Sequence, residues 1–181
     1  MPTAPAEPDF EELLRRFELP LQQYATRIIG DRDRARDVVQ ETFVELERGD
    51  RRQLDGAPAK WLFTVCRNRA LNVCRKEKRM TYLDQELLET KPDAAPLPSA
   101  QLERKEASGF LLRIVATLPP RQQEVIQLKF QNDLSYQEIS EITQLSVSHV
   151  GVLLHNALKT LRQRYAQASR DFVPFTLRTS S

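Results

Sequence analysis

Two cysteines, two histidines and several clusters of arginine and lysine are the residues of this chain best placed to do chemistry. Cys66 and Cys74 stand eight residues apart in one helical pattern, about 12 Å of helix rise, which excludes a bridge between them. Neither has a second Cys or a His at ligand spacing, and His149 and His155, six apart, point to different faces of a helix, so no metal is expected. A Gly-rich phosphate loop, a nucleophile elbow and a convergent acid pair with a His are also missing from the sequence. That disfavours an enzyme, and no cofactor is expected.

Charge is the more informative chemistry. From Arg67 to Arg79 six basic residues (Arg67, Arg69, Arg75, Lys76, Lys78, Arg79) meet one acid, Glu77, and from Ser146 to Tyr165 three basic residues meet none. Acid gathers in the N-terminal tail and between Asp84 and Glu106, where six acids face three bases. Two cationic helices separated by an acidic connector suggest two contacts with a polyanion, although either helix alone reads equally well as a solvated face. The wider composition, net +2 over 181 residues with 40% apolar and 29% charged, fits a folded protein of one domain or two. No apolar run is long enough to cross a bilayer and MPTAPAEPDFEE does not read as a signal peptide, so a cytoplasmic location is expected.

The elements that must position these charges are helices. Strand alternation is nearly absent while helical spacing recurs, so the expected fold is all-α. Phe10, Leu13, Leu14 and Phe17 begin a first helix, with a restart expected after Pro20 and a stop at Gly30-Asp31. A second buries Ala35, Val38, Val39, Thr42, Phe43 and Leu46 and ends at Gly49. After a polar loop, a third runs from Ala59 to about Arg79 with Trp61, Leu62, Val65, Cys66, Ala70 and Val73 inward. Pro92, Pro96 and Pro98 among acids mark a linker, beyond which helical pattern resumes near Leu102 and halts at Pro119-Pro120.

A short helix from Arg121 to Phe130 leads into a sharper signal. Ser135 and Glu138 form an S-x-x-E capping box, in which hydroxyl and carboxylate satisfy orphan backbone donors at a helix start. Ile139, Ile142 and Leu145 give that helix its buried stripe. Ser146 or Ser148 can cap the next, whose apolar positions are Val147, Val150, Leu154, Ala157, Leu161 and Tyr165. Two caps this close leave room only for a tight turn, the layout of a helix-turn-helix reader of DNA. The tail after Tyr165 is too short to fold alone.

Three stretches carry a family resemblance. Asp33-Arg34-Ala35-Arg36-Asp37-Val38-Val39-Gln40-Glu41-Thr42-Phe43 matches D-x-A-x-D-x-x-Q-E-x-F. Trp61-Leu62-Phe63-Thr64-Val65-Cys66-Arg67-Asn68-Arg69-Ala70-Leu71-Asn72 resembles W-L-x-x-I-A-R-N-x-x-x-D. Leu118-Pro119 onward matches L-P-x-x-x-x-E-V followed by L-S-Y-x-E-I. Each alone is weak, but in this order and spacing the chain resembles the extracytoplasmic-function (ECF) sigma factors of bacterial RNA polymerase. The resemblance implies two small helical domains joined by a flexible linker: an N-terminal tail (1–9), region 2 (10–80), an acidic Pro-containing linker (81–107), region 4 (108–166) and a C-terminal tail (167–181).

It also implies a function and partners. Such a protein binds core polymerase and directs promoter-specific initiation, with Asp37, Val38, Gln40, Glu41 and Phe43 on the clamp helices of the largest subunit and a further contact at the flap region. Arg51 and Arg52, in a loop cupping an extruded base of the minus-ten element, and Lys60, Arg67, Asn68, Arg75 and Arg79 would hold promoter DNA in region 2. Ser146, Ser148, His149 and Asn156 would face base edges of the minus-thirty-five element, with Lys159 and Arg162 on phosphates. The linker acids would mimic RNA phosphates, and an anti-sigma factor is a further partner of such proteins. A stand-alone helix-turn-helix regulator is the competing reading, disfavoured because a sensor domain does not need the polar face of Asp37, Gln40 and Glu41.

One segment departs from the family pattern. Gly151, Leu153, Asn156 and Leu158 occupy normally basic places in the recognition helix. Log affinity falls with log salt by about 0.9 per neutralised phosphate, so region 4 should be the weaker of two anchors. Gly151 inside a helix costs about 1 kcal/mol relative to Ala unless close backbone approach needs it. Val152, Leu153 and Leu158 lie off the core stripe, and Phe172, Val173, Phe175 and Leu177 of the tail are expected to cover them; a disordered tail is the equal alternative.

Overall fold

The computed structural model describes residues 9–49, 54, 57–84 and 112–171, with 78–84 and 168–171 described by backbone alone. Arg51, Arg52, the Arg79 side chain, most of the linker and the tail from residue 172 lie outside the described residues. The longer elements are α1 (Phe10–Ile29), α2 (Arg32–Arg48), α3 (Pro58–Asp84), α4 (Pro120–Phe130), α5 (Tyr136–Thr143) and α6 (Val147–Asp171), with one short helical stretch at 112–116 before α4.

α1 runs unbroken through Pro20, so the expected restart is corrected to a single helix. Pro20 removes one i→i−4 bond and crowds a carbonyl, but Leu13 and Phe17 before it and Leu21, Tyr24 and Ala25 after it are all buried. Packing on both sides holds the helix together. It ends at Gly30, whose φ of 82° is left-handed and whose N–H reaches Thr26 O at 2.7 Å; a side chain there would cost about 1–2 kcal/mol. α2 starts at Arg32, two residues later, because the carboxylate of its cap Asp31 accepts the Arg34 N–H at 2.9 Å. Its inward stripe is buried as the spacing predicts.

α3 opens with Pro58, which suits a first helical position, and continues to Asp84. The helix thus passes its expected end near Arg79 and the expected start of the linker at 81; with no Pro or Gly between 80 and 84, nothing stops it there. Among its described side chains, Leu62, Phe63, Cys66 and Ala70 are buried. Phe63, absent from the expected inward set, packs edge-on against Tyr24 with ring centroids 5.2 Å apart. Trp61, Val65 and Val73 are half-buried.

The capping box at α5 is complete: the Glu138 N–H donates to Ser135 Oγ at 3.2 Å, and the Ser135 N–H to Glu138 Oε2 at 2.8 Å. Gln144 then takes a left-handed φ of 59° and sends its N–H to Ser140 O. Ser146 caps α6, its Oγ accepting the His149 N–H at 3.2 Å. Val150, Leu154 and Ala157 are buried, whereas Val147 and Tyr165, expected on the same stripe, are exposed at its two ends. α6 reaches Asp171, so the tail begins later than residue 167. Buried apolar residues form one cluster from Leu13 to Ala157, and α3 packs against α5. The two helical groups therefore meet.

Candidate nucleic-acid interface

The polar face of α2 is open. Asp37, Gln40 and Glu41 are exposed and line a shallow groove with Val44, Glu45, Arg48 and Arg69. Arg69 crosses from α3 to bond Glu41 and Glu45, each at 2.5 Å. The hydrogen bond to Glu45 is the main reason the Arg69 pKa is raised. Val38 and Phe43, expected to touch polymerase, are instead core residues, 3% and 4% exposed. Their positions in α2 turn them onto the domain interior, where the Phe43 ring meets Phe10 edge-on at 6.1 Å. They shape this face from behind.

α3 divides its cations between two surroundings. Asn68 and Arg75 are exposed, and the Arg75 guanidinium donates to Asn72 Oδ1 at 2.6 Å. Arg67 is not available in the same way: its Nε donates to Glu124 Oε1 of α4 at 2.8 Å, with each side chain only 15% exposed. The Tyr24 hydroxyl donates to that same oxygen at 2.8 Å. Burial first, and the Glu124 charge and hydrogen bond second, push the Tyr24 pKa well above its ordinary value. For Arg67, burial works against the charge, but the bonds and field of Glu124 win and its pKa rises.

Two further contacts flank this cluster. Lys60 Nζ lies 3.0 Å from Glu141 Oε2 of α5, and an Arg27 guanidinium nitrogen donates to Gln123 O at 3.2 Å. Glu141 accepts from Gln137 as well as Lys60, and both hold its pKa down. Arg67 and Lys60, expected on promoter DNA, thus face region 4 here, because neutralising a buried or crowded charge requires the nearest opposite one.

On α6, Ser148, His149, Asn156, Lys159 and Arg162 are all exposed. Ser146 is exposed too, but its oxygen is engaged as the helix cap. Leu153 and Leu158 are half-buried against the core, while Val152 is 56% exposed. Leu153 and Leu158 thus rest on the core and Val152 is open among the described residues; the tail from 172, expected to cover them, lies outside those residues. An added Cβ at Gly151 would meet Tyr136 Cε2 at 3.8 Å, an ordinary contact. Nothing described within the chain requires glycine there.

Comparison with known proteins agrees with this architecture. The family model "Sigma-70 region 2" matches residues 13–80, and "Sigma-70, region 4" matches residues 111–161. The chain is 26% identical over 165 residues to ECF RNA polymerase sigma factor SigW of Bacillus subtilis, covering 86% of this chain and 88% of that protein. It is 25% identical over 163 residues to SigM of the same organism, covering 89% and 98%. The chain belongs to the ECF sigma factors. Its fold is shared with the sigma factor RpoE of Bartonella quintana, solved with the anti-sigma factor NepR, at a TM-score of 0.62 and 20% identity over 86% of this chain and 95% of that one.

As a sigma factor this chain is a promoter-directing transcription initiation factor that works with RNA polymerase and promoter DNA. No described helix is long and apolar enough to cross a membrane. The residues that motif reading missed are Tyr24, Glu124 and Glu141, together with the role of Arg69. Glu124 stood in the matched L-P-x-x-x-x-E-V element and is the one acid between Pro119 and Asn132. That isolation was the available signal.

Proposed function

We propose that this sigma factor grips core polymerase through the exposed α2 face of Asp37, Gln40 and Glu41, holds melted minus-ten DNA along α3, and lays α6 into the minus-thirty-five duplex. The observation that carries this is the placement of an open acidic and amide face on α2 directly beside a cationic α3, two chemistries on one small domain. Carboxylates and amides suit a protein partner with basic and polar side chains, whereas exposed Asn68 and Arg75 suit bases and phosphates. Arg79, Arg51 and Arg52 extend that role by resemblance. On α6, Ser148, His149 and Asn156 lie nearest the base edges, and Lys159 and Arg162 serve phosphates.

The site of action is the cytoplasm, where polymerase works. The co-crystal of the Bartonella relative with an anti-sigma factor supports a partner of that kind for this chain. Run-off transcription with core polymerase on randomised promoters tests the assignment. The wild-type chain should direct initiation at a defined sequence class, and Gln40→Ala with Asp37→Ala should weaken core binding about tenfold while leaving the fold intact. Failure of the wild-type chain to start transcription, or full activity of the double variant, contradicts the assignment.

A further inference from the structure

We propose that Gly151 and Val152 determine which base pairs α6 accepts: the missing side chain at 151 lets the helix backbone close on the base edges, and the Val152 methyls meet the C5-methyl of a thymine. The inference rests on the role proposed above for α6 and says where its sequence preference comes from. At about 100° per residue, Ser148, Val152, His155 and Lys159 fall on the ridge opposite the buried Val150, Leu154 and Ala157. All four are exposed. Val152, an apolar group at 56% exposure, stands in the middle of that ridge. Gly151 lies one step round the helix, on the flank beside the ring of Tyr136, the first residue of α5.

The fold gives no reason for a glycine at 151. Its backbone is not left-handed, and an added Cβ would find Tyr136 Cε2 at 3.8 Å, ordinary van der Waals contact. Alanine would therefore fit the chain and hold the helix better. A weak helix former kept without internal need is accounted for by a neighbour outside the chain that comes closer than a methyl would allow. No acid lies between Glu141 and Asp171 to repel a duplex, so DNA can be that neighbour. Chemistry then selects the base. Val147 to Asn156 carries no charged side chain, so this stretch lacks the arginine and lysine that pair with guanine O6 and N7. In the major groove only thymine presents a methyl, and apolar side chains contact it. Valine is short, with both methyls on Cβ, and touches a base edge only where the backbone beside it comes close. The two residues therefore act as one surface.

The test uses the full chain assembled with core polymerase, and as probe the promoter that wild type selects from templates randomised over the minus-thirty-five element. The quantity read is the ratio of its affinity to that of the same duplex with the element scrambled, which a general loss of polymerase binding does not move. Gly151→Ala should lower this ratio about fivefold or more, the size of one mismatched pair, while the free chain melts no lower than wild type. Deoxyuridine in place of each thymine in turn should lower the wild-type ratio about fourfold at one position, the worth of one buried methyl, and should cost Val152→Ala nothing there. A smaller loss for Gly151→Ala overturns the proposal, as does a lower melting temperature, since the glycine would then serve the fold. Uracil tolerated at every thymine, or an equal penalty in Val152→Ala, also overturns it. So does a lower melting temperature for Val152→Ala, which would mean that another part of the chain covers this residue. A wild-type ratio near one removes the role of α6 itself, whereas a large ratio that neither the substitutions nor uracil change removes only this inference.

Discussion

Arg67 shows how little a residue's type says about its state. Its neighbours in α3, Asn68 and Arg75, are exposed, yet Arg67 is turned into an ion pair with Glu124 that leaves each side chain 15% exposed. Cys66, one position away, is fully buried, and burial pushes its thiol pKa from 9.0 to about 12. It is thus an inert core group rather than a nucleophile. Because the folded pKa is raised, this thiol supports the fold fully below the unfolded value near 9, and the support is lost as pH rises towards about 12. Urea titrations at pH 9 and 10.5 should show wild type losing about 1.6 kcal/mol from this group, the slope rising from half to nearly all of about 1.4 kcal/mol per pH unit as the unfolded thiol ionises. Cys66→Ala should show a smaller drop over the same interval; an equal drop would assign the alkaline loss to other groups, Tyr24 first among them.

At the scale of the element, local chemistry decides where helices begin, and tertiary packing decides whether they persist. α5 has only eight residues, too few to be stable alone, so the reciprocal bonds of Ser135 and Glu138 matter more there than in the longer helices. Ser135→Ala should lower stability by about 1 kcal/mol, read as a lower melting temperature, with duplex binding by α6 reduced in proportion to the unfolded fraction. No change in melting would mean that burial of Ile139 and Ile142 alone secures the helix. α1 gives the opposite case: Pro20 argues locally for a break, and the buried residues on both sides of it override that signal. Gly151 is a third case, a weak helix former that internal contacts do not demand.

For the whole molecule the distribution of charge matters more than its sum. α6 offers Lys159 and Arg162 as exposed cations beyond an uncharged stretch from Val147 to Asn156 that contains two histidines. Region 4 should therefore show a shallow salt dependence on duplex DNA. Lys159→Gln and Arg162→Gln should each lower the slope of log affinity against log salt by about 0.9, measured with polymerase-bound sigma. A slope unchanged by both substitutions would place the phosphate contacts elsewhere.

Much of this was legible because it is local. Apolar residues at helical spacing, Gly30, Asp31 and the Ser135–Glu138 box act within one or two turns, so the all-α class, the order of helices and the helix-turn-helix could be read from neighbours in the chain. The acids and amides of α2 and the exposed polar residues of α6 were legible through matched motifs, but a motif does not say which members face inward, which is how Val38 and Phe43 came to be named with Gln40. What only the tertiary structure decided is the pairing of Arg67 with Glu124 and of Lys60 with Glu141. Charged side chains at separations of 57 and 81 residues follow no period, and which cation meets which anion depends on how α4 and α5 settle on α1 and α3.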